Sequence, residues 1–213
     1  MMLIHHLGMS QSERIVWLCE ELGLPYELKH YTRDAKTRLA PPELKAMHPS
    51  GAAPLLEDGD VFLAESGAIV DYIMGTYGDG GLRPKPGTPE FAPYLYWFHF
   101  ANGTLQPMMG RMMILGRASV ASEHPMLTAT KGRLDGALGL IEKRLGETPY
   151  LAGASLTAAD IMTVFTLSTM RNFNPVDLTP YPNIRAYLAR IGARPAYQRA
   201  MAKGDPGMEL KLT

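Results

Sequence analysis

The chain of 213 residues has a single cysteine, Cys19, so it can form no disulfide within itself, and this usage fits a reducing compartment. It has no excess of either charge. Its 21 Lys and Arg balance 21 Asp and Glu, a formal net charge of zero, with the two signs interspersed. That argues against a nucleic-acid binder and against a polybasic membrane-surface protein. No apolar run is long enough to span a bilayer. The opening residues Met1 to His6 lack the charged start and long apolar core of a secretory signal, so a cytoplasmic protein is expected. There is no internal repeat and no low-complexity tail. Gly78-Asp79-Gly80-Gly81 is not followed by Gly-Lys-Ser/Thr and is not a phosphate loop. His5 and His6 are adjacent on a predicted strand and point to opposite faces. The remaining histidines, His30, His48, His99 and His124, show no metal-ligand spacing, so no metal is expected.

What is present starts with ample core material: 46% of the residues are hydrophobic. The most informative stretch runs from Gly51 to Asp71. Leu55-Leu56 and Val61-Phe62-Leu63 are two short apolar runs, and Asp58-Gly59 between them signals a hairpin turn. Pro54 cannot donate to a ladder and marks a strand start or edge. If its bond to Ala53 is cis, the Ala53 backbone faces outward, where an extended peptide can pair with it. Ser66 reads as the N-cap of a helix carrying Ala68, Ile69, Tyr72 and Ile73 at helical spacing. The free N–H groups and positive dipole end of such a helix favour a carboxylate. From spacing alone, the favoured reading is that Ser66 only caps its helix and Pro54 only stiffens a loop.

The start of the chain repeats the strand-to-helix pattern. Leu3 to Leu7 reads as a strand, Gly8-Met9 as a turn, and Ser10-Gln11-Ser12-Glu13-Arg14 as a helix start. Ile15, Leu18, Cys19 and Leu22 form one apolar stripe, which makes Cys19 a small buried hydrophobe. Gly23 and Pro25 end the helix, and Tyr26 to Tyr31 alternates like a strand. Ser10 to Glu13 is itself a capping-box pattern, so Ser10 has a structural reading as well as a chemical one.

Gly78 to Pro89 is too rich in Gly and Pro for a regular element. The expected division is therefore an α/β domain over 1–78, a linker over 79–89 and an all-helical domain over 90–213. Helical patterns fall near 90–116, 123–146, 157–172, 182–191 and 195–203. Thr157-x-x-Asp160 is a capping box with Asp in the usual Glu place, and Leu156 and Ile161 form its hydrophobic staple. Pro107 is expected to kink or interrupt its helix. Leu105, Met108, Met109, Met112 and Met113 form a stripe at helical spacing, which reads as helical core or contact surface, or as a permissive apolar pocket.

Three segments together, S-Q-S-E-R-I-V-W-L-C-E-E-L-G-L-P-Y-E, A-P-P-E-L-K-A-M-H-P-S-G-A-A-P-L-L-E-D-G and L-A-E-S-G-A-I-V-D-Y-I, resemble the soluble glutathione S-transferases. The later L-A-G-A-S-L-T-A-A-D-I-M resembles the helix-capping segment of that family's second domain, and the likeness spans nearly the whole chain. The A-P-P-E-L-K stretch resembles a fungal and bacterial branch. The resemblance implies a thioredoxin-like N-terminal domain that binds glutathione as co-substrate, followed by an all-helical domain. It implies a homodimer and a small apolar electrophile as second substrate. Ser10 matches the catalytic serine of theta-like members, with Ser12 an open alternative. Ala53 and Pro54 would hold the cysteinyl unit, and Glu65 and Ser66 the γ-glutamyl end. An electrophile pocket would lie between Ser10 and the first helices of the second domain, with Met108, Met109 and Met112 contributing. Many members carry Lys or Arg where this chain has Ala52, which predicts weaker glutathione affinity. Lys36, Arg38 and Lys45 are the basic residues available to compensate. The implied reaction is attack of the glutathione thiolate on an electrophilic carbon or a hydroperoxide oxygen. Glutathione-dependent reduction or isomerisation and a non-catalytic glutathione carrier are the alternatives.

Overall fold

The computed structural model describes residues 1–213. β1 (Met2–Leu7) is the second strand of a four-stranded sheet of order β2-β1-β3-β4. It pairs in parallel with β2 (Tyr26–Tyr31) and antiparallel with β3 (Leu55–Asp58), which in turn pairs antiparallel with β4 (Val61–Ala64). The parallel pair requires a crossover, which α1 (Glu13–Leu22) supplies. α1 ends as expected: Gly23 takes φ 63° and its N–H returns to the Cys19 carbonyl. α2 (Pro42–Lys45) is a single turn within the long connection, and α3 (Ser66–Tyr77) follows β4. Period-two alternation sends His5 and His6 to opposite faces. His5 meets Tyr31 and Glu57, each at 2.9 Å, and His6 meets Ser12, also at 2.9 Å.

The hairpin turn sits one residue later than Asp58-Gly59. Asp58 pairs with Val61, so the two loop residues are Gly59 and Asp60. Only Gly59 has positive φ, 60°, the pattern of a turn with glycine at its first central position. Asp58 instead stays in the strand and accepts from the Tyr72 and Tyr77 hydroxyls of α3.

The chain forms two compact units that differ from a single cut at 78–90. One contains Met1–Gly80 and Ala193–Glu209, the other Gly81–Gly192 and Leu210–Thr213. α9 (Pro195–Gly204) thus belongs with the sheet, not with the helical domain that precedes it in sequence. The physical reason is its packing on α1. Arg194 donates from Nε and Nη2 to the two Glu21 carboxylate oxygens at 2.7 Å. Arg199 donates to Glu20 at 2.8 Å, Lys203 donates to the same carboxylate, and Tyr197 meets Trp17 edge-to-face with ring centroids 5.0 Å apart.

The helical unit is built on α7 (Ala158–Leu167), which is buried on every side. Its capping box forms: the Thr157 N–H donates to Asp160 Oδ2 at 2.8 Å. Asp160 Oδ1 further accepts from the Leu151 N–H and the Tyr187 hydroxyl, both at 3.0 Å, so the carboxylate ties three segments together. The expected helix near 90–116 is α4 (Phe91–Phe100), a π-helical turn (Ala101–Leu105) and α5 (Gln106–Arg117). Pro107 lies in the first turn of α5, where its missing N–H costs nothing, and the π turn absorbs the disruption just before it. α6 (Pro125–Glu147) and α8 (Pro182–Gly192) complete the unit. No helix is long and apolar enough to cross a membrane.

Candidate active site

The turn after β1 brings Ser10 and Ser12 together, with their hydroxyl oxygens 2.7 Å apart. Ser12 is fully enclosed. It also accepts from the Leu7 N–H at 3.3 Å and lies 2.9 Å from His6 Nδ1. Ser10 is the outer member of the pair at 6% exposure, against 0% for Ser12. The capping box expected from Ser10 does not form. The Ser10 hydroxyl takes the Ser12 N–H at 3.2 Å, two residues on, and the Glu13 N–H goes to the Ser10 carbonyl. α1 starts only at Glu13, and Ser12 at its N-cap has helical backbone and no capping hydrogen bond. Both serine side chains are thereby directed to each other and to His6 rather than to the helix end.

The Ala53–Pro54 bond is cis. Both residues are buried, and the β3 ladder begins just after them, at Leu55, so the Ala53 backbone lies outside it. Ala52 is exposed. Ala53 packs with Leu7, Tyr31, Ala40, Leu44 and Leu55, so its position is fixed from below by the core of the sheet unit.

Glu65 and Ser66 divide their roles differently from the sequence reading. Glu65 is the N-cap of α3, exposed, with a left-handed φ of 70° and ψ of 114°. Such a backbone costs about 1–3 kcal/mol in a residue with a Cβ and is held only where the surroundings dictate it. Ser66 is the first helical residue and is buried at 1% exposure. Its hydroxyl does not cap. It accepts from Arg14 Nη1 at 3.0 Å and donates to Gln11 Oε1 at 3.3 Å, and the same Nη1 donates to Gln11 at 2.9 Å.

Arg14 is the buried charged residue beside Ser66 that sequence reasoning missed. It is completely buried, and that burial lowers its guanidinium to about 9 despite the opposing effect of Glu13. The visible signal was a charge in the first turn of a helix whose next residues, Ile15 to Cys19, are all apolar. Arg14 and the N-terminus of α3 put two positive features in one place. The Glu13 carboxylate beside Arg14 offsets part of that charge.

A cleft of about 500 Å³ opens beside the Gly8-Met9 turn, lined by Gly8, Met9, His30, Arg33, Arg38 and Asp205 among others, with none of Ser10, Ser12, Ala53, Pro54, Glu65 and Ser66 on its wall. Arg38 is therefore the only one of the three basic candidates, with Lys36 and Lys45, on its wall. Arg33 braces the turn by donating to the Gly8 and Met9 carbonyls at 2.8 and 3.1 Å. In the helical unit, Met108 and Met109 are buried and Met112 is half-buried. Met109 packs with Leu105, Leu138 and Leu167, so two of the three methionines serve the core and only Met112 retains appreciable surface. Cys19 is fully buried, and burial, with Glu20 beside it, pushes its thiol up to about 12. It is inert as a nucleophile. No group of three or more His, Cys, Asp or Glu side chains converges as a metal site would.

Comparison with known proteins gives the same outline. Residues 1–75 match the glutathione S-transferase N-terminal domain and residues 118–203 the C-terminal domain. Glutathione S-transferase 3 of Schizosaccharomyces pombe is 30% identical, over 95% of this chain and 88% of its own. Glutathione S-transferase 1 of Saccharomyces cerevisiae is 30% identical over 94% of each. A crystal structure of a glutathione S-transferase from Actinobacillus pleuropneumoniae superposes with a TM-score of 0.88 at 35% identity, covering 98% of this chain and 95% of that one. The thioredoxin-like sheet unit with its helical companion, the matches to both domains and these relatives make the chain a member of the glutathione S-transferase family, with glutathione conjugation as its activity.

Proposed function

We propose that the chain activates glutathione through Ser10 and transfers it to small apolar electrophiles, as a serine-type member of the family. The observation that carries this reading is the paired hydroxyls of Ser10 and Ser12, with Ser10 outermost. A free thiol has a pKa of roughly 8.5, so at neutral pH only a small part is thiolate. A hydroxyl donating to sulfur favours the anion by about 1.5–3 kcal/mol, which is one to two units of pKa. Ser12, wholly enclosed behind Ser10, acts as support. Inert Cys19 is no substitute nucleophile, which disfavours a cysteine-type reductase.

Ala53 pairs its backbone with the cysteinyl unit beyond Pro54. Glu65 receives the γ-glutamyl amine, and Ser66 with the α3 N-terminus receives its carboxylate, with Arg14 supplying charge from beneath. Arg38 on the cleft wall is the basic residue for the glycine carboxylate in place of a side chain at Ala52. The surface of α5 around Met112 receives the electrophile, and the chain works as a homodimer. Turnover of glutathione with a generic aryl halide tests the reading, run beside a glutathione mixed disulfide. Conjugation of the halide supports it. Reduction of the disulfide without conjugation overturns it in favour of a reductase, and binding of glutathione without either turnover makes the chain a carrier.

A further inference from the structure

We infer that His6 and Asp205 form a buried proton acceptor for the glutathione thiol, reached through Ser12 and Ser10. The inference rests on the thiolate reading above and says where the thiol proton goes. Four groups stand in line within the sheet unit. Ser10 Oγ is 2.7 Å from Ser12 Oγ, Ser12 Oγ is 2.9 Å from His6 Nδ1, and His6 Nε2 faces Asp205 Oδ2 at 3.4 Å. His6 is 0% exposed and the Asp205 side chain 6%. Neither His6 Nε2 nor Asp205 Oδ2 makes a hydrogen bond, so their 3.4 Å approach is an ion-pair contact between two buried polar atoms that nothing else satisfies. Asp205 is anchored through its second oxygen, which accepts the Met9 N–H at 2.8 Å. The ring fits because position 204 is glycine: a Cβ there would stand 3.2 Å from His6 Cε1.

The chemistry follows from donors and acceptors. A carboxylate 3.4 Å from Nε2 favours the tautomer of neutral His6 with its proton on that nitrogen, which leaves Nδ1 an acceptor. Ser12 then donates to Nδ1, and its oxygen, which already takes the Leu7 N–H, accepts from Ser10. Two other acceptors lie within reach of Ser12: the Leu7 carbonyl, at a weak 3.5 Å, and Ser10 Oγ at 2.7 Å, which already takes the Ser12 N–H; giving the Ser12 proton to the ring lets both hydroxyls donate. The whole chain points inward. When glutathione binds, its S–H bond breaks and Ser10 Oγ takes the proton. Ser10 passes its own proton to Ser12, and Ser12 passes its own to His6 Nδ1. The electron pair stays on sulfur, both serines keep one proton each, and the net change is one proton moved from sulfur to imidazole. The line now points outward. His6 donates to Ser12, Ser12 to Ser10 and Ser10 to the thiolate, while Asp205 faces the new imidazolium. The proton leaves by the same line when the conjugate departs. His30 on β2, whose ring meets that of His6 edge-on at 5.6 Å, is the other titratable group against it, and a charge on His30 opposes one on His6.

The test is a proton count. Glutathione is added to the wild-type protein in weakly buffered solution at about pH 7.5, where free imidazole is mostly neutral. Thiolate absorbance and proton release are recorded together, with S-methylglutathione correcting for groups other than the thiol. The expected result is thiolate with almost no proton released, because His6 keeps it. His6→Asn and Asp205→Asn raise the release toward about one proton for each thiolate formed. Wild-type release of about one proton per thiolate overturns the relay while leaving the thiolate reading intact. Bound glutathione without thiolate absorbance overturns both. A wild-type count of about one overturns the relay whether or not the variants fold, and a count that stays at about zero in His6→Asn places the acceptor elsewhere, His30 included, and overturns it too.

Discussion

The Arg14 guanidinium at the start of α1 donates to the Ser66 hydroxyl at the start of α3, at 3.0 Å and out of contact with solvent. This contact couples the turn that carries the two serines to the helix end proposed to receive the γ-glutamyl carboxylate. Arg14→Lys keeps the charge but loses the planar fork that serves Gln11 and Ser66 together. The expected outcome is a roughly tenfold rise in the glutathione KM, about 1.4 kcal/mol, with a smaller change in kcat. Steady-state kinetics with glutathione varied against a saturating electrophile checks it. An unchanged KM would remove Arg14 from the binding site.

Glu65 holds a positive-φ backbone, φ 70° and ψ 114°, whose cost falls when the Cβ is removed, as in glycine. Glu65→Gly is therefore expected to leave the melting temperature unchanged or raise it, while glutathione binding weakens. Calorimetric melting and a binding isotherm on the same variant separate the two effects. A clear drop in melting temperature contradicts the account of strain kept for function.

The docking of α9 on α1 depends on pH. Burial pushes the Glu20 carboxyl up, but hydrogen bonds from Lys203, Arg199 and Tyr26 outweigh it and hold the group below its ordinary value. A depressed carboxylate gives stability that is complete above the unfolded value, about 4.3, and is lost as pH falls through the folded one. Arg199 and Lys203 are 53% and 55% exposed, so solvent screens the pairs. Glu20→Gln should cost about 1–2 kcal/mol at neutral pH, and the difference should close in acid. Urea titrations at neutral and acid pH measure it. Equal losses at both would show that charge is not what fastens α9.

Local chemistry explains which parts of this structure were legible in the sequence. Thr157 and Asp160 sit three residues apart and cap α7 as their spacing implies, and Gly23 ends α1 where a left-handed residue is needed. The helical segments follow their periodicity closely, with Pro107 tolerated by its place in a first turn. Pairings across long stretches of sequence were not legible. The stripe of Tyr197, Ala200 and Met201 announces a buried face on α9 but not that Trp17 lies under it. The cap of α3 was misplaced by one residue, because Glu65 adopts a backbone that sequence reasoning reserves for glycine, and this freed the Ser66 hydroxyl for Arg14. Ser10 and Ser12 stand out in the sequence, but their bond to each other and the line onward to His6 depend on how the turn folds back over β1.

The measurement that tests the central claim most directly is an ultraviolet titration of the thiolate of glutathione bound to the wild-type protein, to Ser10→Ala and to Ser12→Ala. The account predicts a wild-type midpoint well below that of free glutathione. It predicts that Ser10→Ala moves the midpoint back by about one to two units. Ser12→Ala, which removes the support and not the donor, moves it less. A wild-type midpoint equal to that of the free thiol, with binding confirmed, contradicts the account. So does a Ser10→Ala titration indistinguishable from wild type.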